Sequence, residues 1–207
     1  MSVVPEVPSA DIRQRILQAA RAAFMEEGYR ASMERIAARA GVAKQTLYNH
    51  FPSKPELFAA VARANADTLL VSLAPSSASL RQQLVVFSRA TRNLALGEES
   101  LSMCRALVGE AQRFPELVAA YYAAGPCEVI VRLAAVLGAA MAKGQLREDD
   151  PAFAADMFLG MLLGRERTDR LFGGPPLDPA LEADRVERIV DCFLRAYAPQ
   201  KTSGETP

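Results

Sequence analysis

The sequence predicts an all-α protein of about nine or ten helices, on three grounds. Apolar residues recur at intervals of three and four, no stretch alternates at the period of a strand, and glycines and prolines cut the chain into helix-sized segments. With 207 residues, half of them apolar, the chain can bury a sizeable core.

The first helix is expected over Ser9–Glu27, where Ile12, Ile16, Ala19, Ala20, Ala23 and Phe24 share a face and Gly28 stops it. Two short helices come next within residues 32–51, SMERIAARAGVAKQTLYNHF. Ser32 can cap the first, whose inner face carries Met33, Ile36, Ala37 and Ala40. Ala37 is small where the second helix crosses, Gly41 sits where the turn needs positive φ, and Val42 with Leu47 fills the corner. The second helix, Lys44 to His50, is left with Lys44, Gln45, Thr46, Tyr48, Asn49 and His50 facing outward, none of them acidic. This is helix-turn-helix spacing, and the outward surface suits the major groove of double-stranded DNA.

Ser53 and Glu56 form a capping-box pair that opens a helix carrying Leu57, Val61, Leu69 and Leu70 to about Leu73. A helix of about 20 residues spans roughly 30 Å, enough to link the head to the C-terminal helices. APSSAS, 74–79, ends it. Further helices are expected from Leu80 to Leu96, Glu98 to Arg113, a short one after Phe114-Pro115, Pro126 to Lys143, Pro151 to Leu171 and Pro179 to Tyr197. Each proline favours the first turn of the segment it opens.

Lysine and arginine balance aspartate and glutamate at 24 each, so the whole chain carries no formal net charge. Between Gly28 and Lys54, however, Arg30, Arg35, Arg39, Lys44 and Lys54 face Glu34 alone. Phosphate contact needs such a local excess.

Residues 12–58, and GVAKQTLYNHFPSKPELF above all, resemble the N-terminal DNA-binding domain of the tetracycline-repressor-like (TetR) family of bacterial transcriptional regulators. Pro55 is the one departure, and a proline in the first helical turn replaces an N–H that has no intrahelical acceptor. The segment RALVGEAQRFPELVAAYYAAGP resembles, more loosely, the regulatory domain of the AefR-like branch. The resemblance implies a helix-turn-helix domain over 9–52 and a helical ligand-binding and dimerisation domain over 53–198, while flexible tails are expected at 1–8 and 199–207. It also implies a small-molecule effector.

Lys44, Gln45 and Asn49 are the candidates for base edges, and Ser32, Thr46, Tyr48, His50 and Lys54 for phosphates. One short reading helix covers few base pairs, so a homodimer reading a palindromic operator is expected. Its interface is sought on Phe153, Met157, Gly160 and Gly164 together with Val186, Ile189, Val190, Phe193 and Leu194. Glu110 falls within an apolar stripe, at about −20° from Met103 on a helical wheel where Leu107 lies at about +40° and Phe114 at about +20°. It either meets an effector in a pocket lined by Met103, Leu107, Phe114, Tyr121, Tyr122, Phe158, Met161 and Leu162, or pairs with Arg113 or Arg165, or points to solvent. The expected output is repression, relieved when an effector tilts the helix after Ser53.

Other classes find less support. His50 is the only histidine and has no nucleophile or acid at recognisable spacing, so catalysis is not expected. Cys104, Cys127 and Cys192 form no CxxC pair, and neither a metal nor another cofactor is expected. An all-helical protein-binding adaptor remains the alternative. No basic leader precedes an apolar run, and the longest apolar run, Leu133 to Ala142, is about half the roughly 20 residues of a membrane span. A cytoplasmic protein without a membrane span is the expectation.

Overall fold

The computed structural model describes residues 9–199, and among them helix follows helix without a strand. The helices are α1 (Ser9–Glu27), α2 (Met33–Ala40), α3 (Lys44–His50), α4 (Lys54–Leu70), α5 (Leu80–Ala95), α6 (Glu98–Glu110), α7 (Pro115–Ala124), α8 (Pro126–Ala142), α9 (Pro151–Leu171) and α10 (Pro179–Ala196). Short 3-10 turns at Gly28–Arg30 and Val71–Leu73 close α1 and α4. The expected tails lie outside the described residues, apart from Pro199.

The bounds follow from local chemistry. Ser79 and Gln82 form a full capping box at the start of α5. Asp150 and Asp178 each accept a backbone N–H two residues on, at 2.9 Å, and the proline after each fits the first helical turn. Inside α9 the regularity fails at Gly164, whose φ of 34° and ψ of −140° break the helix into two pieces. Such a backbone suits glycine alone, so Gly164 acts as a break and not as a smooth small-residue contact face.

The chain forms two compact units. Of the described residues, the first comprises 9–65 together with 98–126. Its core joins Ile16, Phe24, Ile36, Leu47 and Phe58 to Met103, Leu107 and Leu117. Phe58 lies edge-on to Phe24 with ring centres 4.8 Å apart and packs 5.1 Å from Tyr121. The helix-turn-helix segment thus shares its core with α6 and α7. The physical reason is size, since about 50 residues can scarcely bury a core alone.

The second unit comprises 66–97 and 127–199 of the described residues. Phe87, Phe158, Phe193 and Tyr197 stack through its centre with neighbouring ring centres 4.5 to 6.5 Å apart. Arg92, 1% exposed, is the largest of its fully buried side chains. Its guanidinium donates to Glu182 at 2.8 Å, to Glu166 at 2.7 Å and to the Leu162 carbonyl, two residues before the break in α9. Burial works against its charge, yet the two carboxylates outweigh it and raise its pKa.

The expectation that no stretch reaches membrane length is corrected by Pro115–Ala142. This stretch is long and apolar enough, by length and composition, to cross a membrane, with a mean hydropathy of 1.5 in its most apolar window. Counting uninterrupted apolar residues missed it, because Glu128 and Arg132 interrupt the run without lowering the average much. Gly125, at φ −123° and ψ −85°, breaks this stretch into α7 and α8. Leu133 and Leu137 of α8 are fully buried in the second unit.

Candidate nucleic-acid interface

The head is built as its residue types require. Ser32 accepts the Arg35 N–H at 3.2 Å and caps α2. Met33, Ile36, Ala37 and Ala40 are buried, and Leu47 of α3 is inaccessible. Gly41 takes the left-handed conformation, φ 65° and ψ 38°, and lets the backbone turn from α2 into α3. The outcome is a short helix with Lys44, Gln45 and Asn49 exposed and Thr46, Tyr48 and His50 half-buried.

The exposed trio is already engaged within the protein. Gln45 Nε2 donates to Asn49 Oδ1 at 3.0 Å, one turn apart on the same face. Lys44 Nζ lies 2.5 Å from Glu34 and 5.8 Å from the centre of the Tyr48 ring. That carboxylate raises the lysine's pKa, and the lysine lowers the carboxylate's. Any anion approaching Lys44 therefore competes with an exposed ion pair, which is weak.

The local cationic excess is smaller than the window 28–54 implied. Arg35 pairs with Glu27 at 3.0 Å and Arg39 with Glu26 at 2.8 Å, acids that stand just before the window opens. Lys54 departs further from its expected role as a phosphate contact. Its ammonium donates to the Tyr29 carbonyl and lies 4.1 Å over the Tyr29 ring, and burial lowers its pKa against the opposing pull of Glu110 and Glu27.

The pocket candidates divide between the cores. Met103 and Leu107 are buried in the first unit, with Phe114 and Tyr121 packed against them. Phe158 and Leu162 are buried in the second unit, with Met161 packed beside them. Tyr122 is exposed. Glu110 is half-buried at the end of α6, and the cation whose charge it supports is Lys54. The two arginines considered for it are engaged elsewhere, Arg165 with Asp169 at 3.3 Å and Arg113 over the Phe114 ring at 5.1 Å.

The interface candidates also separate. Val186, Val190 and Phe193 are buried in their own unit's core, since the apolar stripe of α10 packs against α5 and α9, and cannot meet a second chain. Ile189 and Leu194 are half-buried, while Phe153, Met157, Gly160 and Gly164 are exposed. An open groove of about 960 Å³ runs along α9 and α10, lined by Met161, Leu163, Leu181, Ile189 and Cys192 among alternating arginines and carboxylates. Among the described residues no group of three or more His, Cys, Asp or Glu side chains could hold a metal ion.

Two further residues escaped sequence reasoning, Arg15 at the helix-turn-helix turn and Arg92 in the second core. Arg15 donates to the Ala40 and Gly41 carbonyls at 2.7 and 3.2 Å. No periodicity marks either residue, because each looks like an ordinary arginine beside a helix's apolar stripe.

Known proteins share this arrangement. Residues 16–61 match the model for bacterial regulatory proteins of the tetR family, and residues 82–199 match that for the C-terminal domain of AefR-like transcriptional repressors. The solved flavonoid-responsive regulator FrrA is 33% identical, with a TM-score of 0.72 over 93% of this chain and 100% of that one. A TetR-family regulator from Mesorhizobium loti MAFF303099 is 29% identical, with a TM-score of 0.75 over 93% of this chain and 100% of that one. The HTH-type transcriptional activator FasR of Mycolicibacterium smegmatis is 45% identical over 65 residues, 31% of this chain and 30% of FasR, so the match spans under a third of that protein. With its capped α2, left-handed Gly41 and exposed α3, and with a family match over more than half its length, the chain belongs to the TetR family of DNA-binding transcriptional regulators, a non-enzymatic fold.

Proposed function

We propose that the protein is a cytoplasmic, homodimeric repressor that leaves a palindromic operator when a small-molecule effector binds. The observation that carries this reading is α3, a short helix locked by the Gly41 turn that offers Lys44, Gln45 and Asn49 to solvent with no acid among them. In this reading those three meet base edges, while Ser32, Thr46, Tyr48 and His50 meet the backbone. Residues 9–52 hold the DNA contacts, and 53–198 carry regulation and dimerisation. Phe153, Met157 and Gly160, with the groove along α9 and α10, form the face for a second copy.

Repression is supported by the family model's description, and effector response by FrrA's being flavonoid-responsive. Glu110, Phe114, Tyr121 and Tyr122 are the polar and aromatic candidates within the first unit. Activation is a second reading, favoured by the name of FasR, whose match covers 65 residues, 31% of this chain.

Capture of genomic fragments by the purified protein, with and without candidate effectors, tests the reading. Recovered fragments should share a palindrome and be released by an effector. If about six to ten phosphates are neutralised, affinity should fall about 10³- to 10⁵-fold between roughly 50 and 200 mM salt. Failure to retain any fragment would instead favour the adaptor.

A further inference from the structure

α1 does more than back the head with an apolar stripe. Arg15 reaches from it to the end of α2, where Nη2 lies 2.7 Å from the Ala40 carbonyl oxygen and 3.2 Å from that of Gly41. Ala40 is the last residue of α2 and Gly41 its left-handed cap. The N–H groups of this turn are already satisfied, Gly41 donating to Ala38 at 3.1 Å and Val42 to Ala37 at 3.0 Å. Carbonyls past a helix end lack an intrahelical donor, and a cation there also complements the negative end of the helix. Arg15 supplies both.

Two neighbouring features bear on the same joint. A Cβ built at Gly41 would stand 2.9 Å from Arg15 Nη2, so the glycine leaves the space that the guanidinium uses. Arg13 lies 5.2 Å over the ring of Phe51, the residue that closes α3. Arginines of one helix thus meet the residues bounding the reading helix on both sides.

We propose that Arg15 is a positioning residue for DNA reading: by bonding the two carbonyls of the α2–α3 turn it fixes the direction in which α3 presents Lys44, Gln45 and Asn49. The proposal rests on the DNA-reading assignment of α3. It requires no contact between Arg15 and DNA.

The experiment compares wild type, Arg15→Ala and Arg15→Lys on two probes: the tightest duplex that wild type enriches from a random-sequence pool, and a scrambled duplex of equal length. Arg15→Ala should lose about tenfold or more in affinity for the enriched duplex, the worth of hydrogen bonds from a charged donor, and little for the scrambled one. Its salt slope should match wild type, and Arg15→Lys should fall between them because a lysine lacks the planar fork. A slope reduced by about 0.9 overturns the proposal by making Arg15 a phosphate contact. A parallel loss on both duplexes that tracks a lowered melting temperature overturns it in favour of plain fold support, and unchanged affinity overturns it outright.

Amide hydrogen exchange without DNA decides independently. Residues 41–47 should exchange about tenfold faster in Arg15→Ala while the middle of α1 stays protected, and unaltered exchange at the turn overturns the proposal. If wild type enriches no duplex, the DNA-reading assignment fails instead, and exchange still decides what Arg15 holds.

Discussion

Replacing Arg92 with methionine should cost the protein about 3 kcal/mol. Removing one partner of a buried ion cluster typically costs about 3–5 kcal/mol, because the remaining charges are stranded. The lower end applies, since Glu166 and Glu182 keep 25% and 20% of their side-chain surface in water and can rehydrate. The Leu162 carbonyl also loses its guanidinium donor at the break in α9. For a chain of this size the loss corresponds to about 6–12 °C in melting temperature. Urea titration followed by far-ultraviolet circular dichroism measures it, at fixed protein concentration because association adds to apparent stability.

The same cluster fixes a pH dependence. Burial opposes the charge of Glu166, but Arg92 and Arg185 outweigh it and hold the carboxyl below its ordinary value of 4.5. A depressed carboxylate stabilises above its unfolded pKa and loses that contribution as pH falls through its folded one. The difference between wild type and Arg92→Met should therefore be full at pH 7 and shrink below about pH 4.5. Adding Glu166→Gln and Glu182→Gln to Arg92→Met should recover part of the stability by removing the stranded charges. A loss below about 1 kcal/mol at pH 7, or no recovery in the triple variant, would refute the ionic account.

Three more expected outcomes concern the head. Gly41→Ala should destabilise it by about 1–2 kcal/mol, because L-residues resist the left-handed region, and should weaken operator binding; unchanged melting would count against a strained turn. Glu34→Gln frees Lys44 and removes a negative charge near the phosphates, so affinity for any duplex should rise several-fold in fluorescence anisotropy, and no change would show the pair to be irrelevant. Lys44→Met should lower the salt slope by about one, whereas Lys54→Met should leave it unaltered, because in the wild type the Lys54 ammonium is held on the Tyr29 carbonyl. Equal slopes for both variants would refute that division.

Helix ends were legible because glycine, proline and capping side chains write them locally. The bounds of α1 and α9 match the expected ones, and the inner face of α2 is buried as its periodicity requires. What periodicity reports is that a face is apolar, not what covers it. Val186, Val190 and Phe193 thus looked available for a second chain although their own unit consumes them. Gly164 read as a small residue on a helical face because a break in φ and ψ leaves no mark in composition. Glu26 and Glu27 lie outside the window used to count charge, yet α1 and α2 pack so that they neutralise Arg39 and Arg35. Arg15 and Arg92 were illegible for a related reason, since their partners lie about 25 and 70 to 90 residues away in sequence.

The most direct measurement is selection of duplexes from a random pool by wild type and by a Gln45→Ala/Asn49→Ala double variant. Wild type should enrich a palindrome whose half-sites lie about one helical turn or a multiple of it apart, roughly 34–36 Å per turn. The double variant should retain salt-dependent binding to duplexes while losing preference at defined positions of each half-site. Identical enriched sequences from both proteins, or no enrichment by wild type, would contradict the assignment of α3 as the reading helix.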